Sequence, residues 1–301
     1  MFVTALSILL ILAACIAGLT YAVYWHEARR EPHPALLESM RCNGGLLRCA
    51  AMGFFSSFAS VLTVILANPL ALARGLWRPA PDPGCARPPV LLVHGLYHNA
   101  SAWWLYRLLL RRRGYVNVFA WDYDTLGGDF EDLAQRLSAA VRELSARCGG
   151  ERVVLVGHSL GGLLTRAVLA DPAAVACVRA AVVLGVPNRG SVLAALAVGS
   201  LGRSLRPDGR TTRCADALNA PLELPKLNVY SPLDNMVVPT SSLEIPEPGW
   251  TQRRTAPIGH AGMLYHTPTA RMVLDFLEAH AGNCERKRPG AARLEERDAM
   301  V

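Results

Sequence analysis

The segment that decides the fold lies at residues 153–170 and reads VVLVGHSLGGLLTRAVLA. Its first four residues are an uninterrupted apolar run, which is typical of a strand buried on both faces. The end of the segment carries a helical pattern. Glycines on both sides of Ser159 allow strand and helix to approach each other without clashes between Cβ atoms. The order of strand, tight turn and helix predicts one unit of a layered α/β domain.

Short aliphatic runs alternate with helical patterns on both sides of this segment. The aliphatic runs predict strands at residues 90–93, 116–120, 153–156, 180–184 and 227–230. Apolar residues at helical spacing indicate helices at 130–144 and 273–277, and Thr267-Pro268 is a suitable cap and first turn for the second. We therefore expect a mostly parallel central sheet with helices on both faces.

The stretch at residues 192–225 is too short for a large lid domain, so we expect a small cap over the sheet. Its Ala- and Leu-rich beginning, residues 192–201, predicts an apolar helix, and residues 202–219 read as a polar connector. Two positions for that helix are equally consistent with the sequence. It would either face the site or pack on the sheet.

Ser159 is the candidate nucleophile. A serine on a turn between a strand and a helix is held in a strained conformation that exposes its hydroxyl above the sheet, and Gly157, His158 and Gly161 shape this turn. The hydroxyl becomes nucleophilic only when a base takes its proton. The sequence must therefore also supply a base and an acid that orients it.

The oxyanion that forms after attack needs preorganised N–H donors. The backbone N–H of Leu160, directly after the serine, is one expected donor. The second should come from the loop after an earlier strand, where residues 90–93 run into His94-Gly95-Leu96. We assign the N–H of Leu96 to this role.

The expected acid is Asp234, because it follows the serine in the chain and stands just past a predicted strand. Asp122 and Asp124 precede the serine, so chain order disfavours them. The expected base is His260, whose small neighbours leave its ring free to turn toward the serine. His266 is the rival, but it adjoins a helix start, where capping or exposure explains it.

With these residues assigned, residues 89–281 resemble the bacterial lipase and esterase branch of the α/β-hydrolase family. The resemblance rests on His94-Gly95-Leu96, on the GHSLGG run from Gly157, on Asp234-Asn235 and on the GHAGML run from Gly259. It implies cleavage of carboxylic esters through an acyl-enzyme that water resolves. No cofactor is expected, and no histidine pair shows the spacing of metal ligands beside a carboxylate or a cysteine.

Two other functions fit the same residues. The acyl-enzyme can pass its acyl group to an alcohol if water is excluded, which would make the protein an acyltransferase. A non-catalytic, membrane-tethered binding module of the same fold is the alternative outside enzymes. The presence of Ser159, Asp234 and His260 together favours catalysis, and an ester or lipid is the expected substrate.

The N-terminal region contains two long uncharged stretches, residues 1–25 and 49–73, each long enough to cross a bilayer as a helix. Tyr21, Tyr24 and Trp25 would then lie at a membrane interface. A cleaved signal peptide is the main alternative for the first stretch. We expect a membrane anchor at residues 1–84, a catalytic domain at 85–281 and a charged, disordered tail at 282–301.

The distribution of arginines predicts the membrane topology. The segment between the two stretches, residues 26–48, holds four arginines, whereas nothing before it carries a basic side chain. By the positive-inside rule this segment is cytoplasmic. A hairpin of two spans would then place the catalytic domain outside the cytoplasm, at the periplasmic face of a bacterial inner membrane.

Charge and cysteine positions bear on partners and compartment. The net charge of +7 comes from scattered arginines, which argues against a nucleic-acid footprint. Cys85 and Cys148 each precede a predicted strand by five residues, and those strands should be parallel neighbours. The two thiols would then approach each other at the bottom edge of the sheet, so we expect a disulfide there.

Overall fold

The computed structural model describes residues 2–30, 32–216, 218 and 223–282. All the strands that it describes form one parallel sheet in the order β2-β1-β3-β4-β5-β6. Their bounds are β1 Val90–Val93, β2 Val118–Trp121, β3 Val153–His158, β4 Val178–Leu184, β5 Lys226–Tyr230 and β6 Trp250–Arg254. The order changes direction between β1 and β3, so the carboxyl ends of these two strands border a crevice.

Helices cover both faces of the sheet, as expected. Their bounds are α1 Phe2–Arg30, α2 Pro34–Cys42, α3 Leu46–Ala67, α4 Arg74–Trp77, α5 Trp104–Arg112, α6 Phe130–Arg147, α7 Leu160–Ala170, α8 Pro172–Val175, α9 Ser200–Arg203, α10 Arg210–Asp216 and α11 Thr267–His280. Helices α5 and α11 bury their apolar side chains on one face, and α6 and α7 bury theirs on the other. The two apolar clusters make the sheet the centre of the core.

All five predicted strands are present, with ends that differ by a few residues. Strand β6 was not predicted, because its sequence WTQRR has no aliphatic run and its side chains are mostly exposed. It lies at the edge of the sheet and pairs only with β5, where charged side chains protect an open edge.

The predicted apolar helix at residues 192–201 is wrong. Residues Val192–Leu196 form a 3-10 turn, and the chain then extends at Ala197 before α9 begins at Ser200. Gly199 between them has φ 85°, a left-handed conformation that ends helical continuity. The cap therefore consists of short pieces, α9 and α10, rather than one helix.

Two helical stretches have the length and apolar composition to cross a membrane, Leu6–Arg30 and Leu46–Leu72. The segment between them packs on the catalytic domain. Leu36 is buried against Leu233 and Val238, and Glu38 lies 2.6 Å from Arg254 of β6. Residues in contact with one another lie on the same side of a bilayer. The predicted topology, with residues 26–48 across the membrane from the catalytic domain, therefore disagrees with the structure.

Helix α3 packs against the catalytic domain at several points. Cys49 near its beginning is buried with Leu233, and the helix also contacts the turn at Ala100–Trp103. After it, Trp77 enters the core and donates its indole N–H to the Leu70 carbonyl at 2.8 Å. Helix α3 and the residues that follow it therefore pack against the catalytic domain.

The tyrosines that we placed at a membrane interface face the protein instead. Tyr21 donates its hydroxyl to the Leu233 carbonyl at 2.9 Å, and Tyr24 donates to the Pro232 carbonyl at 2.6 Å. Both rings are buried. Their polar tips satisfy backbone acceptors in the loop that carries Asp234, which is a use of amphipathic aromatic residues that sequence alone does not distinguish from membrane anchoring.

The predicted disulfide is absent. Strands β1 and β3 are parallel neighbours, as that prediction required, but Cys85 and Cys148 are free thiols. Cys148 is buried in the apolar cluster between α6 and the sheet, whereas Cys85 is half-buried in the linker before β1. Burial raises the pKa of Cys148 to about 11, so its thiol stays protonated and unreactive.

Candidate active site

Ser159 lies between β3 and α7, at the carboxyl edge of the sheet beside the end of β1. Its backbone has φ 55° and ψ −124°, a strained conformation for a residue with a side chain. The turn that contains Ser159 is closely packed, and this packing maintains its strained backbone. A Cβ added at Gly157, for example, would lie only 2.5 Å from the Thr165 hydroxyl. A Cβ at Gly161 would clash with the carbonyls of Val93 and His94 at the end of β1. The glycines thus let α7 start directly above β1.

Asp234 and His260 form a hydrogen-bonded pair. Oδ2 of Asp234 lies 2.7 Å from Nδ1 of His260. Oδ1 of the same carboxylate accepts the backbone N–H groups of Met236 and Val237, both at 2.9 Å. The Asp234 side chain is fully buried, and these three contacts compensate the burial of its charge. The pair fixes the orientation of the imidazole and leaves Nε2 as the ring atom that can accept a proton.

Ser159 and His260 line one cavity of about 380 Å³. The ring of His158 packs on the ring of His260 with a centroid distance of 4.5 Å, and its Nε2 lies 3.3 Å from the His260 carbonyl. Burial, with the neighbouring His260 and His98, lowers the pKa of His158 well below its usual value. His158 is therefore neutral at pH 7. It packs against the loop that carries His260 and does not compete with that residue for a proton.

The turn after β1 lies against the nucleophile. A Cβ at Gly95 would lie 2.9 Å from the Cβ of Ser159, so only glycine allows this approach. Leu96 follows in the wall of the same cavity. Leu160 is the first residue of α7, and its N–H is one of those at a helix start that lack an intrahelical acceptor. Leu160 therefore adjoins Ser159 and Leu96 lines the same cavity, and their role as oxyanion donors stays a prediction.

Asp122, which we rejected as the acid, supports the turn after β1. Its Oδ1 lies 3.2 Å from Nε2 of His94 and accepts the Ala100 N–H at 2.8 Å. Burial raises the pKa of this carboxyl, but the interactions with His94, the Ala100 N–H and Arg78 together outweigh it, so the net pKa is lowered. His266, the rival base, hydrogen-bonds the Thr269 hydroxyl at the start of α11. Both residues thus have structural roles near the site.

Sequence reasoning missed a polar clamp from the N-terminal helices. Asn235 accepts the His260 N–H at 3.0 Å and donates to the hydroxyls of Thr20 on α1, at 2.6 Å, and Ser57 on α3, at 3.1 Å. Ser56 of α3 accepts the Gly259 N–H at 2.6 Å. The loop that carries the histidine is therefore held by helices more than 170 residues away in the chain. The one sequence signal was the group of hydroxyl residues inside an otherwise apolar stretch.

Comparison with known proteins agrees with this arrangement. Residues 90–288 match the model of a family described as the alpha/beta hydrolase family. The chain belongs to this family. The family predicted from the sequence is thus confirmed, and the matched region contains all the predicted site residues of this alpha/beta hydrolase.

The proteins and solved structures that are similar to this chain include an esterase and lipases. An esterase, PIR7B from Oryza sativa subsp. japonica, is 40% identical over 82 residues, covering 24% of this chain and 30% of the relative. The chain thus matches less than a third of that protein. The mature lipase BlEst2 of Bacillus licheniformis superposes with a TM-score of 0.53 at 24% identity, over 65% of this chain and 94% of that one. Lipase B of Aspergillus fumigatus superposes with a TM-score of 0.58 at 18% sequence identity. The superposition covers 71% of this chain and 58% of the lipase chain. The two structures support the fold.

Within the described residues, no group of three or more His, Cys, Asp or Glu side chains is placed to hold a metal ion. The candidate site therefore contains Ser159 and the hydrogen-bonded Asp234–His260 pair, and their catalytic roles stay predictions.

Proposed function

We propose that the protein is a serine hydrolase of carboxylic esters. The observation that carries this proposal is the 2.7 Å hydrogen bond between Asp234 and His260 in the cavity that also contains the strained Ser159. Names of relatives agree with it, since an esterase and two lipases are similar to this chain.

In the proposed reaction, Nε2 of His260 takes the proton of the Ser159 hydroxyl while Oγ attacks the ester carbonyl. Asp234 keeps the ring in the tautomer with a proton on Nδ1 and stabilises the imidazolium that forms. The N–H groups of Leu96 and Leu160 donate to the oxyanion of the tetrahedral intermediate. The imidazolium then protonates the leaving alcohol, and water activated by His260 releases the acid from the acyl-enzyme.

The test compares the full-length chain with Ser159→Ala and with the control Ser204→Ala, which removes a hydroxyl outside the cavity. We expect Ser159→Ala to lower hydrolysis of p-nitrophenyl butyrate by about 10³-fold or more and Ser204→Ala to keep it. A fluorophosphonate probe should label wild type and Ser204→Ala but not Ser159→Ala. Labelling of a folded Ser159→Ala variant at the same rate would contradict the assignment.

A folded wild type without hydrolysis or labelling would favour the binding-module alternative. Product analysis with an added alcohol separates hydrolysis from acyl transfer, because a transferase yields a new ester in place of the free acid.

We further propose that the N-terminal helices hold the enzyme at a membrane. Their length and apolar composition support this, as does the apolar surface of α1, where Leu6, Ile8, Ile11 and Leu12 are 43–62% exposed among the residues that the structure describes. A location at the periplasmic face stays a prediction. So does the division of the chain at residue 84.

A further inference from the structure

The cavity above Ser159 is walled by the N-terminal helices. Its apolar lining includes Ile16 and Leu19 of α1, Val61 and Val64 of α3, and Leu193 and Leu196 of the cap. Ser159 and His260 lie in the same cavity. A region that sequence analysis separated from the catalytic domain as an anchor thus supplies part of the space next to the nucleophile.

The cavity carries no charged side chain. Its lining among the described residues contains no Asp, Glu, Lys or Arg, and its titratable groups are histidines and Tyr97. Burial lowers the pKa of His98 to about 4 and holds that of His158 well below its usual value, so both rings are neutral at pH 7. A charged or strongly hydrated group would lose its solvation here without a partner. The lining instead suits a hydrocarbon chain.

Apolar side chains also surround the mouth of the cavity and remain exposed. Leu19 of α1 is 58% exposed and Leu196 of the cap is 65% exposed, and both line the cavity. On α1, Ile8, Leu12, Ile16 and Leu19 are spaced along one helix face and are all exposed, over roughly 16 Å of helix. This stripe leads from the free end of α1 to the cavity. An uncovered apolar path into a catalytic cavity points to an apolar ligand.

We propose that this cavity binds the acyl chain of a long-chain lipid ester, which enters from a bilayer along the exposed stripe of α1. The proposal rests on the proposed ester hydrolysis and adds its substrate class. The carbonyl of the ester would lie at Ser159, and the acyl chain would extend between α3 and the cap. The apolar walls from α1 and α3 would then select for the length of the acyl chain. Detachment of α1 and α3 from the catalytic domain would open the cavity to water.

The decisive variant narrows the cavity from α3. Val64→Phe adds an aromatic ring inside it, whereas Ile65→Phe makes the equivalent change at the next residue, which does not line the cavity. In the full-length protein, we expect Val64→Phe to lower the ratio of kcat/KM for the p-nitrophenyl ester of palmitate to that of acetate by at least about tenfold. Ile65→Phe should keep the wild-type ratio. An unchanged ratio in Val64→Phe would overturn the proposal.

A binding measurement separates this inference from the proposed chemistry. In a Ser159→Ala background, the methyl ester of dansyl-labelled undecanoate should bind, and Val64→Phe should weaken its binding by about tenfold while Ile65→Phe does not. This result would support the acyl site even if no ester were hydrolysed. Equal binding of the probe to Ser159→Ala and to its combinations with Val64→Phe and Ile65→Phe would overturn it, and so would no binding to any of them. Loss of acetate hydrolysis in Ser159→Ala tests only the catalytic assignment.

The source of the ester is tested with the same long-chain ester in two forms. Faster hydrolysis from phosphatidylcholine vesicles than from detergent micelles supports entry from a bilayer. Hydrolysis of the micellar ester alone would overturn the bilayer as the source. Self-association of the chain through the α1 stripe, with the cavity closed to vesicles, would overturn it as well.

Discussion

At the scale of the residue, Asn235 shows how the site depends on contacts remote in sequence. Its side chain joins the N–H of His260 to hydroxyls on α1 and α3, and all its partners are buried. Removal of a side chain with several buried partners leaves each of them unsatisfied. Asn235 is therefore a positioning residue, which acts on the reaction through the histidine loop.

We expect Asn235→Ala to lower kcat for a short ester by about tenfold to a hundredfold and to destabilise the fold by roughly 2–3 kcal/mol. The control Asn99→Ala removes an amide that caps the turn at Ala100–Trp103 and makes no contact with His260. Steady-state kinetics and chemical denaturation measure the two effects. A variant destabilised to this extent with unchanged kcat would show that the clamp supports only the fold.

His98 predicts a pH dependence of stability. Burial, with the nearby His94, lowers its pKa from 6.5 to about 4 in the folded chain. Below pH 6.5 the His98 ring is protonated in the unfolded chain but stays neutral in the folded chain. The free energy of unfolding therefore falls as the pH is lowered from about 6.5 to about 4. The loss reaches at most about 3 kcal/mol.

The measurement is the free energy of unfolding at pH 7 and pH 4.5 for wild type and His98→Gln. The amide can keep the contacts that the ring makes with Asn99 and Tyr265. We expect wild type to lose more stability on acidification than the variant. Parallel pH profiles would show that His98 titrates normally.

At the scale of the element, α3 packs on the loop that carries His260. A Cβ at Gly259 would lie 2.9 Å from the Cβ of Ser57, so α3 packs directly on the backbone of the histidine loop. Residues 79–301 expressed alone should therefore lose most of the esterase activity. Coexpression of residues 1–78 as a separate chain should restore part of it. Full activity of residues 79–301 alone would show that the helices only anchor the enzyme.

At the scale of the whole molecule, contacts of α2 and α3 place the segment at 26–48 on the same side of a bilayer as the catalytic domain. Cys42 in this segment is exposed and gives a native probe. In sealed vesicles, a membrane-impermeant maleimide should react with Cys42 and with a cysteine introduced at the exposed Glu143 of α6 from the same side. Labelling of the two from opposite sides would restore the two-span topology.

The layered α/β fold could be predicted from local sequence, and so could Ser159, Asp234 and His260 as candidates for the site. Buried parallel strands need continuous apolar runs, and a strained turn needs glycines, so local sequence carries both signals. Strand β6 and the short elements of the cap carry no such signal in the sequence. Their formation depends on the elements they pack against in the folded chain rather than on local composition. The role of α1 and α3 was decided only in the tertiary structure. An apolar helix has the same composition whether it faces lipid or a protein cavity, and the hydrogen bonds of Thr20 and Ser57 to Asn235 exist only after folding brings them together.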